Sequence, residues 1–387
     1  MKKILIVNNN LHIGGVQKAL VSLLWSICDD YDVTLLLFSK TGEYLDQIPK
    51  TVRVITPDSH FRCLGLTRMD AMGFPEKLLR GFYAGVTRLF GRRTAVFLMG
   101  LGQKRLGAFD VAISYLHNGG DRVFYGGCNE FVLNHVDAAK KITFLHCDFG
   151  QCGANTPQNR AQYARFDRIA ACSQGCADAF LRINPEMKEK VTVVPNCHRF
   201  EKLRLDAAAD PRELPADRIN LVTVARFGRE KGVDRALRVI ARLGTLRKKI
   251  HCYIIGDGIQ KPEILEIMEA EKLWDTVTLC GMMENPFGYV RAADLLLIPS
   301  YSEAAPLVID EAASLGTPVL SMETSSAREM IEETGFGWVC ENSEDALLLA
   351  LTNLLVKPER LEETKKRLAQ VKFGNERALV RFRELML

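Results

Sequence analysis

The sequence predicts an α/β protein with two units, each built on a parallel β-sheet with crossover helices. Short runs rich in Val, Ile and Leu alternate with amphipathic segments of helix length, which is typical of such sheets. The series of strands restarts after residue 217. A length of 387 residues also exceeds what one ordinary core holds. These observations together predict two domains.

The two series of predicted strands are separated by a segment that is suited to a linker. Residues 201–217 contain Pro211, Pro215 and three consecutive alanines, a composition that favours a connection between domains. We therefore expect a first domain over 1–200, a linker over 201–217, a second domain over 218–370 and a C-terminal helix over 371–387 that packs back on the first. The predicted strands are 3–8, 32–38, 51–55, 109–114, 141–146, 168–172 and 191–194, then 219–225, 250–255, 276–280, 294–298, 317–321 and 336–340.

The composition indicates a folded protein without membrane-spanning segments. Hydrophobic residues make up 47% and charged residues 25% of the chain, close to the globular norm. There is no apolar run of about 18 residues, and Asn8 to Asn10 interrupt the first apolar run too early for a signal peptide. The eleven cysteines form no C-x-x-C pair. We therefore expect a cytoplasmic protein in a reducing compartment.

Two cations flank the turn after the first strand of the second series. Arg226 ends this strand and Lys231 follows five residues later, just before a helix. Cations at a strand-to-helix turn can grip a diphosphate together with the amides of the helix terminus. A solvated basic turn is the alternative, because Arg229 and Lys231 flank Glu230.

Two glutamates follow the strand predicted at 294–298. Glu303 lies in the loop, and Glu311 lies eight positions later on a helix, about two turns along it. Carboxylates suit the hydroxyls of a sugar and a ribose because each oxygen accepts hydrogen bonds. Surface acids are the alternative, but an idle charge in the mainly apolar helix of Glu311 would be costly. Gly256, which directly follows the strand predicted at 250–255, permits close approach of a ligand.

These segments, read in order, resemble the retaining glycosyltransferase family 4. The resemblance rests on VARFGREKGVDRAL, IIGDG, VTLCGMMENPFGYVRAADLLLIPSYSEAAPLVIDEAASLGTPV and SSAREMI. The family's E-x7-E motif matches Glu303 and Glu311, and its strand-end Arg and downstream Lys match Arg226 and Lys231. The resemblance implies the GT-B architecture, two Rossmann-like domains facing across a cleft, with a nucleotide-diphosphate sugar such as a UDP-sugar as donor.

The resemblance also implies a role for each of these residues. Arg226 and Lys231 would neutralise the leaving diphosphate, Glu311 would hold the ribose hydroxyls, and Glu303 would contact the donor sugar near the reacting carbon. Cations of the protein then replace a metal ion, so we expect no metal and no cofactor. The loop backbone after Glu303 would approach the donor, although Ala304 stands where the family has Gly. The residues of this loop are Ala304, Ala305, Pro306 and Leu307.

The first half contains two further motifs that match the family. Gly14 and Gly15 follow the first strand, where a glycine pair lets backbone amides approach a diphosphate; an ordinary turn is the alternative. His146 and Asp148 end a later strand and resemble the family's His-x-Asp, which would orient donor or acceptor hydroxyls. A histidine at the edge of the core is the alternative. His117 is a weaker candidate of the same kind.

A zinc site is the less favoured interpretation of the same region. Neighbouring residues of a strand point to opposite faces, so His146 and Cys147 should not converge on one ion. The D-x-D segment at 30–32 precedes a strand and is interpreted as a turn rather than a metal site. The candidate zinc ligands are His146, Cys147, Asp148 and Cys152, with Cys172 and Cys176 further along.

Residues 74–107 form a basic amphipathic segment. They contain seven cations against one acid, Glu76, in a half of the chain (1–197) that has 24 Lys and Arg against 17 Asp and Glu. Such helices lie in the interface of an anionic membrane; a helix packed on the sheet is the alternative. The resemblance to the family favours the membrane-binding interpretation, since many members act on lipid-linked acceptors. The cations are Lys77, Arg80, Arg88, Arg92, Arg93, Lys104 and Arg105.

We therefore expect a hexosyl-type transferase that acts with retention on a saccharide or lipid-linked saccharide, in cell-surface polysaccharide or glycolipid synthesis. We expect no nucleic-acid partner, and we expect the protein to bind peripherally to the inner face of the cell membrane. One alternative is a UDP-sugar epimerase of the same fold, which would act on donor alone. The other is a nucleotide-sugar-binding regulatory protein without turnover.

Overall fold

The computed structural model of this chain describes residues 1–67 and 70–387, and these form two compact units. The first unit comprises residues 1–198 and 375–387, and the second comprises residues 199–374. Each unit has its own parallel sheet.

The first unit contains a seven-stranded sheet in the order β3-β2-β1-β4-β5-β6-β7, in which every pairing is parallel. The strand order reverses between β1 and β4, which creates a topological switch point. The strands are β1 (Lys3–Asn8), β2 (Asp32–Leu37), β3 (Arg53–Ile55), β4 (Leu106–Ser114), β5 (Val136–Leu145), β6 (Arg168–Ala171) and β7 (Val191–Val193). The helices between them are α1 (Gly15–Ile27), α2 (Arg62–Gly65), α3 (Phe74–Phe90), α4 (Arg92–Met99), α5 (Cys128–His135), α6 (Pro157–Tyr163) and α7 (Gln174–Ile183).

The second unit contains a six-stranded parallel sheet in the order β10-β9-β8-β11-β12-β13, with its switch point between β8 and β11. Its strands are β8 (Ile219–Val224), β9 (Ile250–Ile255), β10 (Val277–Gly281), β11 (Leu295–Ile298), β12 (Val319–Met322) and β13 (Gly337–Cys340). Its helices are α8 (Phe200–Ala209), α9 (Val233–Ala241), α10 (Lys261–Ala270), α11 (Phe287–Ala292), α12 (Val308–Ser314), α13 (Glu344–Val356) and α14 (Glu359–Leu368).

The segment predicted as a linker belongs to the second unit, which begins at Arg199. Residues 200–209 form α8, and its buried Leu203 and Ala207 pack with Phe287 of α11. Alanines that suit a linker are also good helix formers, and composition alone does not separate the two. The last helix, α15 (Glu376–Met386), lies in the first unit.

All thirteen predicted strands are present, and the prediction of two parallel-sheet α/β units of the Rossmann-like kind is confirmed. Each central strand is buried along most of its length: in β1 only Lys3 is exposed, and β11 is buried throughout. This burial explains why the strands read as continuous apolar runs. Among the described residues, no helix combines the length and the apolar character that crossing a membrane requires.

Candidate active site

An ion pair joins the two strand-end loops at the switch point of the second sheet. Lys231, in the loop after β8, donates to Oε1 and Oε2 of Glu303, in the loop after β11, at 2.7 and 2.8 Å. The two side chains are 27% and 10% exposed. The hydroxyl of Ser300 also donates to Oε1 of Glu303, at 2.8 Å. Open parallel sheets bind ligands at such a switch point.

The backbone holds these two loops against each other. Gly232 has φ +62°, and a Cβ at this position would lie 2.2 Å from the carbonyl oxygen of Pro299, so a side chain could not be accommodated. The amide of Tyr301 donates to the carbonyl oxygen of Glu230 at 2.9 Å. The position of Lys231 therefore depends on a close approach that only glycine permits.

Arg226 is the most accessible of the predicted site residues in this unit. Its side chain is 73% exposed and its Nη2 donates to Oε1 of Glu230 at 2.7 Å. Burial opposes the ionisation of Glu230, but the hydrogen bond from Arg226 and the nearby positive charges outweigh it and lower the pKa of this carboxyl. Arg226 and Lys231 are thus each held by a carboxylate of the same pair of loops.

Glu311 is buried on α12, with 5% of its surface exposed. The stretch from Ala304 to Leu307 connects Glu303 to this helix, and the hydroxyl of Ser326 donates to the carbonyl oxygen of Ala304. The structure therefore places the backbone of 304–307 directly between the two glutamates.

Gly256 lies where the chain leaves β9 and passes close to the loop after β8. It has φ +147°, and a Cβ there would meet the carbonyl oxygen of Ala225 at 1.9 Å. The side chain of the next residue, Asp257, bonds Lys261 at 2.7 Å. Gly256 therefore has a packing role next to Arg226, whether or not a ligand approaches it.

Gly14 and Gly15 lie at the switch point of the first sheet, at the start of α1. Gly14 is extended (φ −179°), and α1 has no side-chain cap among the described residues. A Cβ on Gly15 would have no heavy atom within 4 Å. The backbone conformation does not require glycine at these positions, and a Cβ on Gly14 would meet only the flexible end of the Gln17 side chain, whose Oε1 would lie 2.5 Å away.

His146 follows β5 and packs among aromatic rings. Its ring stacks on Phe144 with centroids 5.6 Å apart, and the ring of Tyr115 lies 4.7 Å away. Burial and the neighbouring His117 lower the pKa of His146 to about 3, so the ring is neutral at physiological pH. Nε2 is shielded from solvent and has no hydrogen-bond partner among the described residues. This matches the core-edge alternative while leaving one ring nitrogen for a ligand.

Asp148 has a local structural role. Its Oδ1 accepts hydrogen bonds from the amides of Gly150 and Gln151 at 3.0 and 3.1 Å, which is an Asx-type turn. The turn brings Cys152 back against Cys147, with 2.8 Å between the two sulfur atoms. Within this loop, His146 packs on aromatic rings and Asp148 bonds backbone amides.

Three residues of these sites carried little signal in the sequence. Ser300 bonds Glu303 and Glu230 bonds Arg226, and both adjoin residues that the motifs identify. In the first unit, the ring of His12 lies between Glu43 (3.3 Å) and Asp70 (3.0 Å). Its position two residues before Gly14 is the only local clue, because both partners are distant in sequence.

Residues 74–99 of the basic segment form α3 and α4, which carry both buried and exposed apolar side chains. One face packs on the first sheet through Tyr83 and Val86. A second set of apolar side chains is exposed to solvent, and the exposed Lys77, Arg88 and Arg93 lie among them in the sequence. The exposed apolar residues are Phe74, Leu78, Phe82, Leu89, Phe90, Phe97 and Leu101. We call these residues and the three cations the α3/α4 face.

Arg92 does not belong to the α3/α4 face. It is buried, and its guanidinium donates to Glu130 at 2.6 Å and to Asn159 at 2.5 Å. The expectation of seven surface cations is wrong at this position, because the helix start turns Arg92 towards α5 and α6. The D-x-D segment lies at the amino end of β2, where Asp30 bonds Arg383 at 3.0 Å.

Comparison with known proteins identifies the second unit. Residues 206–371 match the family of glycosyl transferases group 1. An uncharacterised 41.2 kDa protein in the cps region of Klebsiella pneumoniae is 27% identical over 308 residues, which is 75% of this chain and 80% of that protein. The O-antigen biosynthesis glycosyltransferase WclY of Escherichia coli is 28% identical over 120 residues.

Several of these matches are partial. The match with WclY covers 33% of WclY. An uncharacterised glycosyltransferase of Methanocaldococcus jannaschii is 27% identical over a match that covers 38% of this chain and 37% of that protein.

Solved structures cover the whole chain. HepE of Anabaena in complex with UDP and glucose is similar with a TM-score of 0.68 at 17% identity, covering 100% of this chain and 98% of that one. Sucrose-phosphate synthase of Thermosynechococcus elongatus has a TM-score of 0.68 at 16% identity, with coverage of 100% and 98%. Identities this low establish the fold. Residues 206–371 thus match glycosyl transferases group 1, and the chain has the fold of the GT-B glycosyltransferases.

Proposed function

We propose that this chain is a retaining, metal-independent glycosyltransferase that moves a hexosyl residue from a UDP-sugar to a saccharide or lipid-linked saccharide acceptor. The observation that carries the proposal is the Lys231–Glu303 pair across the switch point of the second sheet, with Arg226 beside it. The group 1 match includes all three residues.

The pair is suited to exchange partners when the donor binds. The diphosphate competes with Glu303 for Lys231, and a Glu303 released from the cation is available to a sugar hydroxyl. Arg226 is exposed and held by a carboxylate of the same loop, so it can turn to the diphosphate at little cost. Both cations then stabilise the negative charge that grows on the leaving group.

The reaction forms a bond between an acceptor oxygen and the anomeric carbon while the bond from that carbon to the diphosphate oxygen breaks. The acceptor proton goes to the leaving diphosphate, so atoms and charge balance. We propose that retention results from attack on the face that the diphosphate leaves, with the departing diphosphate assisting the acceptor. Cations of the protein supply the charge stabilisation for which other transferases use a metal ion.

The names of relatives support the class of acceptor. WclY is an O-antigen biosynthesis enzyme, and a solved neighbour, WaaG, is a glycosyltransferase involved in lipopolysaccharide biosynthesis. We place this chain in cell-surface polysaccharide or glycolipid synthesis on this basis, with its donor-binding unit working from the cytoplasmic side.

The α3/α4 face supports peripheral binding to an anionic membrane. Phe74 and Leu89 are 75% and 72% exposed, and apolar side chains exposed at this density beside cations are typical of membrane-interface helices. Attachment there would bring a lipid-linked acceptor to the enzyme.

The test is UDP release from a panel of UDP-sugars, measured with and without saccharide acceptors and with excess EDTA throughout. We expect release that depends on acceptor, and NMR of the product should show the anomeric configuration of the donor. An isomerised sugar nucleotide without acceptor would replace the proposal with an epimerase. Binding without turnover across the panel would replace it with a regulatory protein, and activity that returns only with Mg²⁺ or Mn²⁺ would refute metal independence.

A further inference from the structure

We propose that His117, Cys147 and Cys152 of the first unit form a binding site for a thiophilic divalent metal ion, with Zn²⁺ as the expected ion. One ring nitrogen of His117 and the two sulfur atoms all lie within 4.8 Å of one another. The three residues come from the loops after β4 and β5. None of the three is among the diphosphate-binding residues proposed in the second unit.

The distances require only a small adjustment. Zinc binds Cys sulfur at about 2.3 Å and His nitrogen at about 2.0–2.1 Å, so tetrahedral ligand atoms lie roughly 3.4–3.8 Å apart. The sulfurs of Cys147 and Cys152 are 2.8 Å apart and must separate by about 1 Å on binding. Cys152 is exposed, whereas Cys147 is buried. The side chain of Cys152 can therefore move outward to make this separation.

His117 presents a ring nitrogen that lacks a partner. Its Nδ1 is shielded from solvent and makes no hydrogen bond within the described residues, and an unsatisfied buried polar atom is costly. A metal ion bound through this nitrogen would satisfy it. The next residue, the buried Asn118, fixes the loop by donating to Gln162 at 2.8 Å and accepting from the amide of Gly127 at 3.0 Å.

The two cysteines are presented by one tight turn. The amide of Cys152 donates to the carbonyl oxygen of Asp148 at 2.9 Å, and the carboxylate of Asp148 binds the amides of the same turn. A turn held by its own hydrogen bonds keeps both sulfurs on one side of the loop. Ligands that are positioned before the metal arrives give up little conformational freedom on binding.

The donor set decides which metal is expected. One imidazole and two thiolates favour Zn²⁺, with Co²⁺ as its spectroscopic substitute, over Mg²⁺ and Mn²⁺, which prefer oxygen ligands. Three protein ligands leave a fourth position for water or an exogenous ligand. The ion would fasten the loops after β4 and β5 to each other at the carboxyl edge of the first sheet.

The experiment uses the full chain, purified anaerobically with a non-thiol reductant, and measures metal directly. We expect about one Zn²⁺ per chain by elemental analysis, and Co²⁺ should give the charge-transfer absorption of cobalt bound to thiolate. Cys152→Ser and His117→Ala should each weaken binding by more than about a hundredfold. Cys280→Ser, which removes a thiol of the second unit, is the matched control and should bind as wild type.

Two measurements keep the test independent of folding and of transferase activity. Zn²⁺ should raise the melting temperature of wild type and of Cys280→Ser but not of Cys152→Ser, and circular dichroism reports whether each variant is folded. Substoichiometric zinc in the reduced wild type, or undiminished binding in folded Cys152→Ser, would overturn the site. A Cys147–Cys152 disulfide that persists under reductant, detected by mass spectrometry, would also overturn it.

Discussion

At the residue scale, the Lys231–Glu303 pair combines a structural and a chemical role. Glu303 is 10% exposed, and a carboxylate that loses its cation at such a site is destabilised. Removing Lys231 therefore has two consequences, a loss of stability and a loss of charge stabilisation in the transition state. A second substitution can separate them.

We predict that Lys231→Ala lowers kcat/KM by roughly 30- to 1000-fold, since one cation at a leaving diphosphate contributes about 2–4 kcal/mol. Arg226→Ala should have an effect of similar direction without loss of stability, because its side chain is exposed. Lys202→Ala, which removes a lysine of an exposed ion pair on α8, serves as the control.

The double variant Lys231→Ala/Glu303→Gln distinguishes the two roles of the pair. Stability measured by thermal melting should recover relative to Lys231→Ala, because no buried charge is left unpaired. Turnover should stay low. Recovery of turnover together with stability would mean that Lys231 acts only as a structural partner of Glu303.

At the element scale, α3 and α4 are anchored by buried contacts and leave the α3/α4 face to solvent. Arg92 holds the start of α4 through Glu130 and Asn159. Removing one partner of a buried ion pair costs about 3–5 kcal/mol. A test of membrane binding must therefore spare Arg92 and change only exposed residues.

We predict that Lys77→Gln/Arg88→Gln/Arg93→Gln weakens co-sedimentation with anionic vesicles, because each cation near an anionic surface contributes about 1 kcal/mol, screened by salt. Phe82→Ser/Leu89→Ser should weaken it through loss of apolar burial. The matched control removes three exposed cations of the second unit, Lys248→Gln/Lys249→Gln/Lys366→Gln. If this control loses binding equally, or if anionic lipid content has no effect, the α3/α4 face is not a membrane surface.

At the scale of the whole molecule, the two ends of the chain stabilise the same unit. Phe382 of α15 is fully buried and its ring meets Tyr31 at 6.2 Å. Asn375 accepts from the amide of His198 at 2.9 Å and donates to its carbonyl oxygen at 2.8 Å. The chain therefore returns to the first unit after completing the second.

We predict that Phe382→Ala destabilises the first unit by about 3–5 kcal/mol, because it leaves a cavity in the core. Val380→Ala on the same helix is half exposed and should change stability by less than about 0.5 kcal/mol. Hydrogen exchange with mass spectrometry reads the two units separately. Faster exchange confined to peptides of the second unit, or equal effects of the two substitutions, would contradict this assignment of α15.

The sequence by itself determined the local features of the fold. The strands read as apolar runs because buried parallel strands are apolar on both faces. Arg226, Lys231 and Glu303 could be placed in strand-end loops because each follows closely after such a run. The order of the motifs likewise indicated a resemblance to glycosyltransferases, and the match of residues 206–371 to glycosyl transferases group 1 agrees with it.

Only the tertiary structure decided which side chains meet. Lys231 pairs with a residue 72 positions away, Arg92 turns inward to Glu130, and His117 reaches two cysteines of another loop. Residues 200–209, most of which were predicted to belong to a linker, form a helix of the second unit. Hydrophobic periodicity indicates which side chains of a segment are buried and which are exposed to water. A contact between distant segments depends instead on the order of the strands in the sheet, and the local sequence pattern does not encode that order.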